Sequence, residues 1–337
     1  MTEKSYGGAA PFRKQGKNLK NMEHKSLVND KNLKTEREMA ENDGELDKAR
    51  VLRAGKIASQ LREFVKQIVR PGVPLLEIAE KIESKTAELG GRPAFPVNLS
   101  INDVAAHYTP SHDDKTLAHG LLKVDFGVHV DGWIADTAMS FDLENSGENR
   151  KLIEAAEKAL ENAIKIVKSG ARLRDIGREI QKTIEAHGAY PIINLSGHSV
   201  SHLDLHAGTT IPNYDNESSE IFDEGVYAIE PFATPGNGRV YDGKPSGIYE
   251  LVSGRNVRSP IARRILDFIT EEYYTLPFCS RWIVEKFGQS ALFGLKQLED
   301  NGNLHQFEQL IEVSHRNVAQ AEHTIIIEKN KVEVTTR

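Results

Sequence analysis

The chain is short of the features that mark several common protein classes. A single cysteine, Cys279, among 337 residues excludes an intramolecular disulfide framework and any cysteine-rich zinc site. No apolar run approaches the roughly 18 residues that a membrane span needs. The N-terminus is polar and lysine-rich with no signal-type hydrophobic stretch, so a cytoplasmic protein without membrane contact is expected. HExxH, GxSxG, the Walker A pattern and GxGxxG are all missing, which leaves the commonest zinc-protease, serine-hydrolase and nucleotide-binding readings without support. A net charge of -6 argues against a specific nucleic-acid partner, because such domains usually carry a strong basic excess.

The charge that is present is unevenly spread. Residues 1–37 hold nine Lys/Arg against four Asp/Glu and show no apolar period. Residues 1–45 therefore read as a disordered basic tail, either a solvated leader or a segment that touches an acidic surface such as the ribosome.

From Asp47 the sequence turns periodic, and it contains itself twice. Val51, Ile57, Leu61, Phe64, Val65 and Ile68 make one helical apolar face. A Pro/Gly turn, a second amphipathic helix and the strand signal FPVNLS follow. About 98 residues later the pattern returns, as KSGARLRDIGREIQKTIEAHG and then YPIINLS, with Gly72, Leu75, Ile78, Ile82 and Gly90 matched by Gly170, Leu173, Ile176, Ile180 and Gly188. Amphipathic helices share apolar spacing by nature; shared flanking glycines and a shared Asn-Leu-Ser strand are a stronger sign. A duplicated helix–helix–strand unit predicts an α+β core with approximate two-fold symmetry and a site between its halves. Residues 46–256 and 311–337 form this core domain. Residues 257–310 have no counterpart in either repeat and read as an inserted helical subdomain. It starts with Ser259 as N-cap and Pro260 in the first turn and ends at Asn301-Gly302. Three helices and a strand are winged-helix-like, but ILDFITEEYY and LKQLEDNG are too acidic to favour contact with nucleic acid.

Four carboxylates stand where apolar strands should have none. KVDFGVHVDGWIADTA reads as a hairpin around Asp131-Gly132, and the odd spacing of Asp125 and Asp136 is consistent with one shared face. Glu230 ends the apolar run Val226–Ile229, and Glu322 heads another at Thr324–Ile327. An ionised carboxylate taken out of water needs a partner or a metal. His198, His202 and His206 recur with equal parity in LSGHSVSHLDLHAG; one of them is a candidate imidazole ligand, and spacing does not say which. Four negative charges match two divalent cations. Oxygen-rich ligation with one imidazole suits Mn, Fe(II) or Co, with Zn also admissible, and two such ions do hydrolytic chemistry.

The order Asp125, Asp136, His198, Glu230, Glu322 resembles the five-ligand site of the pita-bread metallopeptidases. The strings AAHYTP, NLSGH, LHAG, YAIEPFAT and AQAEHTIII are similar to those of type 2 methionine aminopeptidases in their archaeal form, and the similarity spans residues 47–337, insertion included. The resemblance implies a pita-bread fold, two divalent metal ions, and removal of N-terminal methionine from nascent polypeptides when the second residue is small. It implies Asp125 on one metal, Asp136 and Glu322 bridging, and His198 and Glu230 completing the ligation of the second metal, with Glu230 also the general base. His107 and His206 match the family's non-ligand histidines, which bind the substrate amine or carbonyl. Leu205 and Ile248 are candidates for the methionine pocket wall. The chain is expected to be a monomer. Prolidases, aminopeptidase P and non-catalytic pita-bread proteins share the fold. HYTP, NLSGH and the insertion argue against the first two, and the complete ligand set argues against the last.

Overall fold

The computed structural model describes residues 46–329 and 331–337; the expected tail, residues 1–45, lies outside the described residues. The first repeat comprises α1 (Lys48–Ile68), α2 (Leu75–Glu88), β1 (Arg92–Pro93), β2 (Asn98–Ile101) and β3 (Val104–Ala106), and leads into a long hairpin of β4 (Leu121–Val130) and β5 (Trp133–Asp142). The second comprises α3 (Gly147–Ile166), α4 (Leu173–Ala186), β6 (Tyr190–Pro191), β7 (Ser196–Val200), β8 (Thr210–Pro212), β9 (Gly225–Ile229) and β10 (Phe232–Thr234). After β11 (Val240–Leu251) come α5 (Pro260–Glu272), β12 (Phe278–Cys279), α6 (Ser280–Phe287) and α7 (Ala291–Asp300). The chain closes with β13 (Leu304–Glu312), β14 (Ala319–Gln320), β15 (His323–Glu328) and β16 (Lys331–Val334).

The duplication is visible in backbone detail. Gly72 and Gly170 enter α2 and α4 at φ +82° and +77°, and Gly90 and Gly188 follow them at +80° and +75°. Left-handed backbone of this kind is open to glycine at little cost, which is why the glycines repeat with the helices. In the sheets, β4 lies between β2 and β5, and β9 lies between β7 and β15, all antiparallel. Each half has its own core. Leu61, Val65, Ile78 and Ile82 of α1 and α2 pack with Val124, Phe126 and Val128 of β4. Leu152, Ile176 and Ile180 of α3 and α4 pack with Tyr227, Ile229 and Ile325. Ile78 is fully buried, and its truncation to Ala is expected to cost about 2–5 kcal/mol.

One strand expectation changes. The second repeat's main strand begins at Ser196 and reaches Val200 rather than ending at Ser196, paired by β9 from His198↔Ala228 to Val200↔Val226; of YPIINLS before it only Tyr190–Pro191 is strand. The C-terminal stretch folds as a hairpin, β15 against β16. Helices α5–α7 lie between β11 and β13, begin with the Ser259 side chain accepting from Ala262 N–H, and share a core of Ile265, Ile269, Phe278, Ile283 and Leu295.

Candidate metal centre and substrate cleft

The β4–β5 hairpin turns through Asp131 at φ +48° and Gly132 at +82°, the doubly left-handed pair of a type I′ turn. This turn fixes the register, Asp125↔Ala138 and Gly127↔Asp136. Asp125 and Asp136 therefore project from the same face, two residues apart along the sheet, while Val124, Phe126 and Val128 point to the helices.

Glu230 and Glu322 stand at interruptions. Glu230 lies between β9 and β10 and is followed by Pro231, which has no N–H to give a ladder; Glu322 lies between β14 and β15. Backbone and side chains together link β5 to the start of β15. Glu322 N–H donates to Ala138 carbonyl at 3.1 Å, and Thr137 Oγ1 donates to Glu322 carbonyl at 2.8 Å. Asp136 N–H donates to Thr324 Oγ1 at 2.7 Å. From α1, Arg62 Nη1 donates to Thr137 Oγ1 at 2.6 Å and to Ala138 carbonyl at 3.1 Å.

These constraints gather one acidic cluster. Ligand atoms of Asp136, His198 and Glu322 lie within 4.8 Å of one another. His198 Nε2 is 3.8 Å from both Asp136 Oδ2 and Glu230 Oε1, too long for a hydrogen bond. Gln320 draws in the remaining carboxylates, its Nε2 donating to Asp125 Oδ2 at 3.3 Å and Glu230 Oε2 at 3.2 Å. Asp136, His198 and Glu322 are buried, whereas Asp125 and Glu230 are half-buried at the opening. Burial pushes the Asp125 carboxyl up to about 7. Burial first, then neighbouring carboxylates, raises Asp136, Glu230 and Glu322 well above the usual range.

The histidines divide by role. Burial lowers His198 to about 4, so its ring is neutral, the form that ligates. The His206 ring lies 4.5 Å from it, edge to face. His206 keeps an exposed surface, yet desolvation by the atoms packed around its ring, and then His198 and His107, hold its pKa well below normal. His202 does not share their face, contrary to the equal-parity expectation. β7 ends at Val200, and Leu203 at φ +53° turns the chain, so His202 Nε2 meets the carbonyl of Asp131 at the hairpin tip at 2.9 Å instead. His107 is itself left-handed, at φ +63°, a conformation costing about 1–3 kcal/mol that surrounding contacts must sustain. Its Nδ1 is 3.2 Å from the carbonyl of Glu308. A carbonyl only accepts, so Nδ1 carries the hydrogen; burial lowers the His107 pKa, and Nε2 is left as an acceptor. Leu205 is buried beside His206, and Ile248 is buried on β11 opposite Cys279.

Sequence reasoning missed Gln320, Thr137, Thr324 and Arg62. Gln320 had a signal, since it precedes Glu322 by two residues and shares its parity. The others act from opposite strands or from α1, with no local pattern to reveal them.

Comparison with known proteins decides the family. The model of metallopeptidase family M24 matches residues 49–328. The chain belongs to metallopeptidase family M24. It is 46% identical over 296 residues to a methionine aminopeptidase of Pyrococcus horikoshii, covering 86% of this chain and 100% of that one. It is 43% identical over 291 residues to one of Methanocaldococcus jannaschii, covering 86% and 98%. Among solved structures, the methionine aminopeptidase of Thermotoga maritima superposes with a TM-score of 0.62 at 22% identity, covering 87% and 98%. The fold is therefore the pita-bread fold expected from the sequence.

An M24 metallopeptidase uses a divalent metal, and this cluster fits one. Asp125 Oδ1, Asp136 Oδ1 and Glu322 Oε1 are buried with no hydrogen-bond partner, an expensive arrangement unless a cation satisfies them. Hard oxygen donors with one neutral imidazole match Mn, Fe(II), Co or Zn. No described helix is long and apolar enough to cross a membrane.

Proposed function

We propose that the chain is a methionine aminopeptidase of the type 2 class, hydrolysing the first peptide bond of polypeptides that begin with methionine followed by a small residue. It is a hydrolase of N-terminal peptide bonds. The observation that supports this reading is the gathering of Asp125, Asp136, Glu230, Glu322 and His198 into one cluster, with the His206 ring 4.5 Å from that of His198.

Asp125, Asp136, His198, Glu230 and Glu322 would hold two divalent ions, whose charge the four carboxylates would balance. When bound, the metal supplies an activated water and a Lewis acid for the scissile carbonyl. Glu230, half-buried at the opening with its pKa raised, takes the proton from the attacking water and passes it to the leaving amine. His107 presents an acceptor, Nε2, to an N–H of the substrate's N-terminal residue. His206, neutral in this setting, donates to the carbonyl oxygen as negative charge develops there. Leu205 and Ile248 contribute to the apolar wall for the methionine side chain. Apolar walls discriminate by only about 1–3 kcal/mol per methylene, so larger second residues are excluded by clash. The chain works as a monomer in the cytoplasm on nascent chains, and its basic N-terminal segment associates with the ribosome.

The test is metal-free protein titrated with Mn, Fe(II), Co and Zn while methionine release from Met-Ala-Ser is followed, with an Xaa-Pro peptide as control. Metal-dependent release of methionine with no cleavage of the control is expected. Cleavage of the Xaa-Pro peptide alone would move the assignment to a prolidase-like activity, and a folded protein inert with every metal would remove it.

A further inference from the structure

Among the described residues, helices α5–α7 give no side chain to the carboxylate cluster, yet they are fastened to both loops that carry its non-ligand histidines. On one side is Arg281 at the start of α6, a buried residue. Its Nη1 and Nη2 donate to Glu83 Oε2 and Oε1 on α2 at 2.7 and 2.8 Å, and its Nε donates to the carbonyl of Pro110 at 3.1 Å. Pro110 ends the segment that His107 begins. His107 in turn donates to the carbonyl of Glu308 on β13, the strand by which the chain leaves these helices. On the other side is Thr275, in the link between α5 and α6. Its hydroxyl donates to the carbonyl of Leu203, three residues before His206.

Both attachments act where the backbone is strained. His107 and Leu203 are non-glycine residues at φ +63° and +53°, a conformation that persists only when neighbours over-determine it. Leu203 N–H is already held by the carbonyl of Gly132 at 2.8 Å; Thr275 holds the other side of the same residue. A guanidinium fixes several acceptors at once in one plane, so Arg281 ties the Pro110 carbonyl to Glu83 rather than merely filling space.

We propose that the helical insertion is a positioning element for the reaction: Arg281, through Pro110, and Thr275, through Leu203, set where His107 and His206 stand over the metal cluster. Neither residue touches substrate. The proposal rests on the reading of His107 and His206 as substrate-contacting groups.

Arg281→Lys keeps a positive charge beside Glu83 but loses the planar fork and the bond to Pro110, and Thr275→Val loses only its hydroxyl, so both variants are expected to fold. Three quantities are read for each: kcat and KM on Met-Ala-Ser, Mn(II) affinity by calorimetry, and the imidazole nitrogen resonances of His107, His206 and His198 in nitrogen-labelled protein. Each variant should lose about tenfold or more in kcat, the scale of a misplaced reacting group, with Mn(II) affinity and the His198 resonances unchanged. Arg281→Lys should shift the His107 resonances, and Thr275→Val those of His206. Wild-type kcat with unshifted resonances in both variants overturns the inference. If His107→Ala and His206→Ala themselves retain wild-type kcat with metal bound, the assignment of the histidines fails and the inference falls with it.

Discussion

Thr324 grips the backbone of Asp136 from both sides: its Oγ1 accepts from Asp136 N–H at 2.7 Å and donates to the Asp136 carbonyl at 2.8 Å. The contact joins β5 of one half to β15 of the other, at a carboxylate of the candidate metal cluster. Thr324→Val conserves shape but leaves two buried backbone groups unpaired. It should destabilise the fold by about 1–3 kcal/mol and weaken Mn(II) binding, with Thr324→Ser restoring most of both. Denaturant unfolding and calorimetry check this, and wild-type metal affinity in the Val variant would count against the clamp.

Gln320 spans Asp125 and Glu230 with one amide nitrogen. Two hydrogen bonds, each worth about 0.5–1.5 kcal/mol to a neutral acceptor and about 1.5–3 kcal/mol to an ionised one, hold the two groups side by side. Gln320→Met keeps the volume and removes the donor. Metal affinity is expected to fall about tenfold or more, since outer partners of ligands commonly matter on that scale. Unchanged affinity in a titration of the variant would show the amide to be incidental.

Glu230→Gln separates ligation from proton transfer. The amide still offers an oxygen donor but accepts no proton, so the fold and at least one metal should be kept while turnover falls by about a hundredfold or more. Metal analysis alongside steady-state kinetics decides it; near-normal kcat refutes the general-base role.

Chelation should act differently at different pH. In the metal-free protein Asp125 titrates at about 7, against about 3.9 for an unfolded aspartate. Between those values the folded state binds more protons than the unfolded one. Stability of the metal-free protein is therefore greatest below about pH 4 as far as this group is concerned, and is lost as pH rises through about 7. Asp136, Glu230 and Glu322 are raised too and act in the same direction. Bound metal replaces those protons. EDTA should thus lower the melting temperature more at about pH 8 than at about pH 5. Equal drops at the two pH values would mean the carboxylates do not carry the charge of the site.

The sequence by itself determined the elements with a local period or a local turn. Glycine-flanked helices repeated at one spacing show the duplicated core, and the type I′ pair Asp131-Gly132 with odd spacing puts Asp125 and Asp136 on one face. Strand alternation and turn chemistry involve neighbours in the chain, so they can be read in order. The tertiary structure alone decided what depends on distant segments meeting. His198 and His206 come together and His202 leaves because β7 stops at Val200 and Leu203 reverses the chain. Gln320 reaches Asp125 and Glu230 from β14, and Thr324 reaches Asp136 from β15. Arg281 reaches Pro110 across 171 residues of chain. Each of these is one or two hydrogen bonds or a ring contact between residues far apart in the chain. Such contacts repeat with no period, so only the folded backbone fixes them.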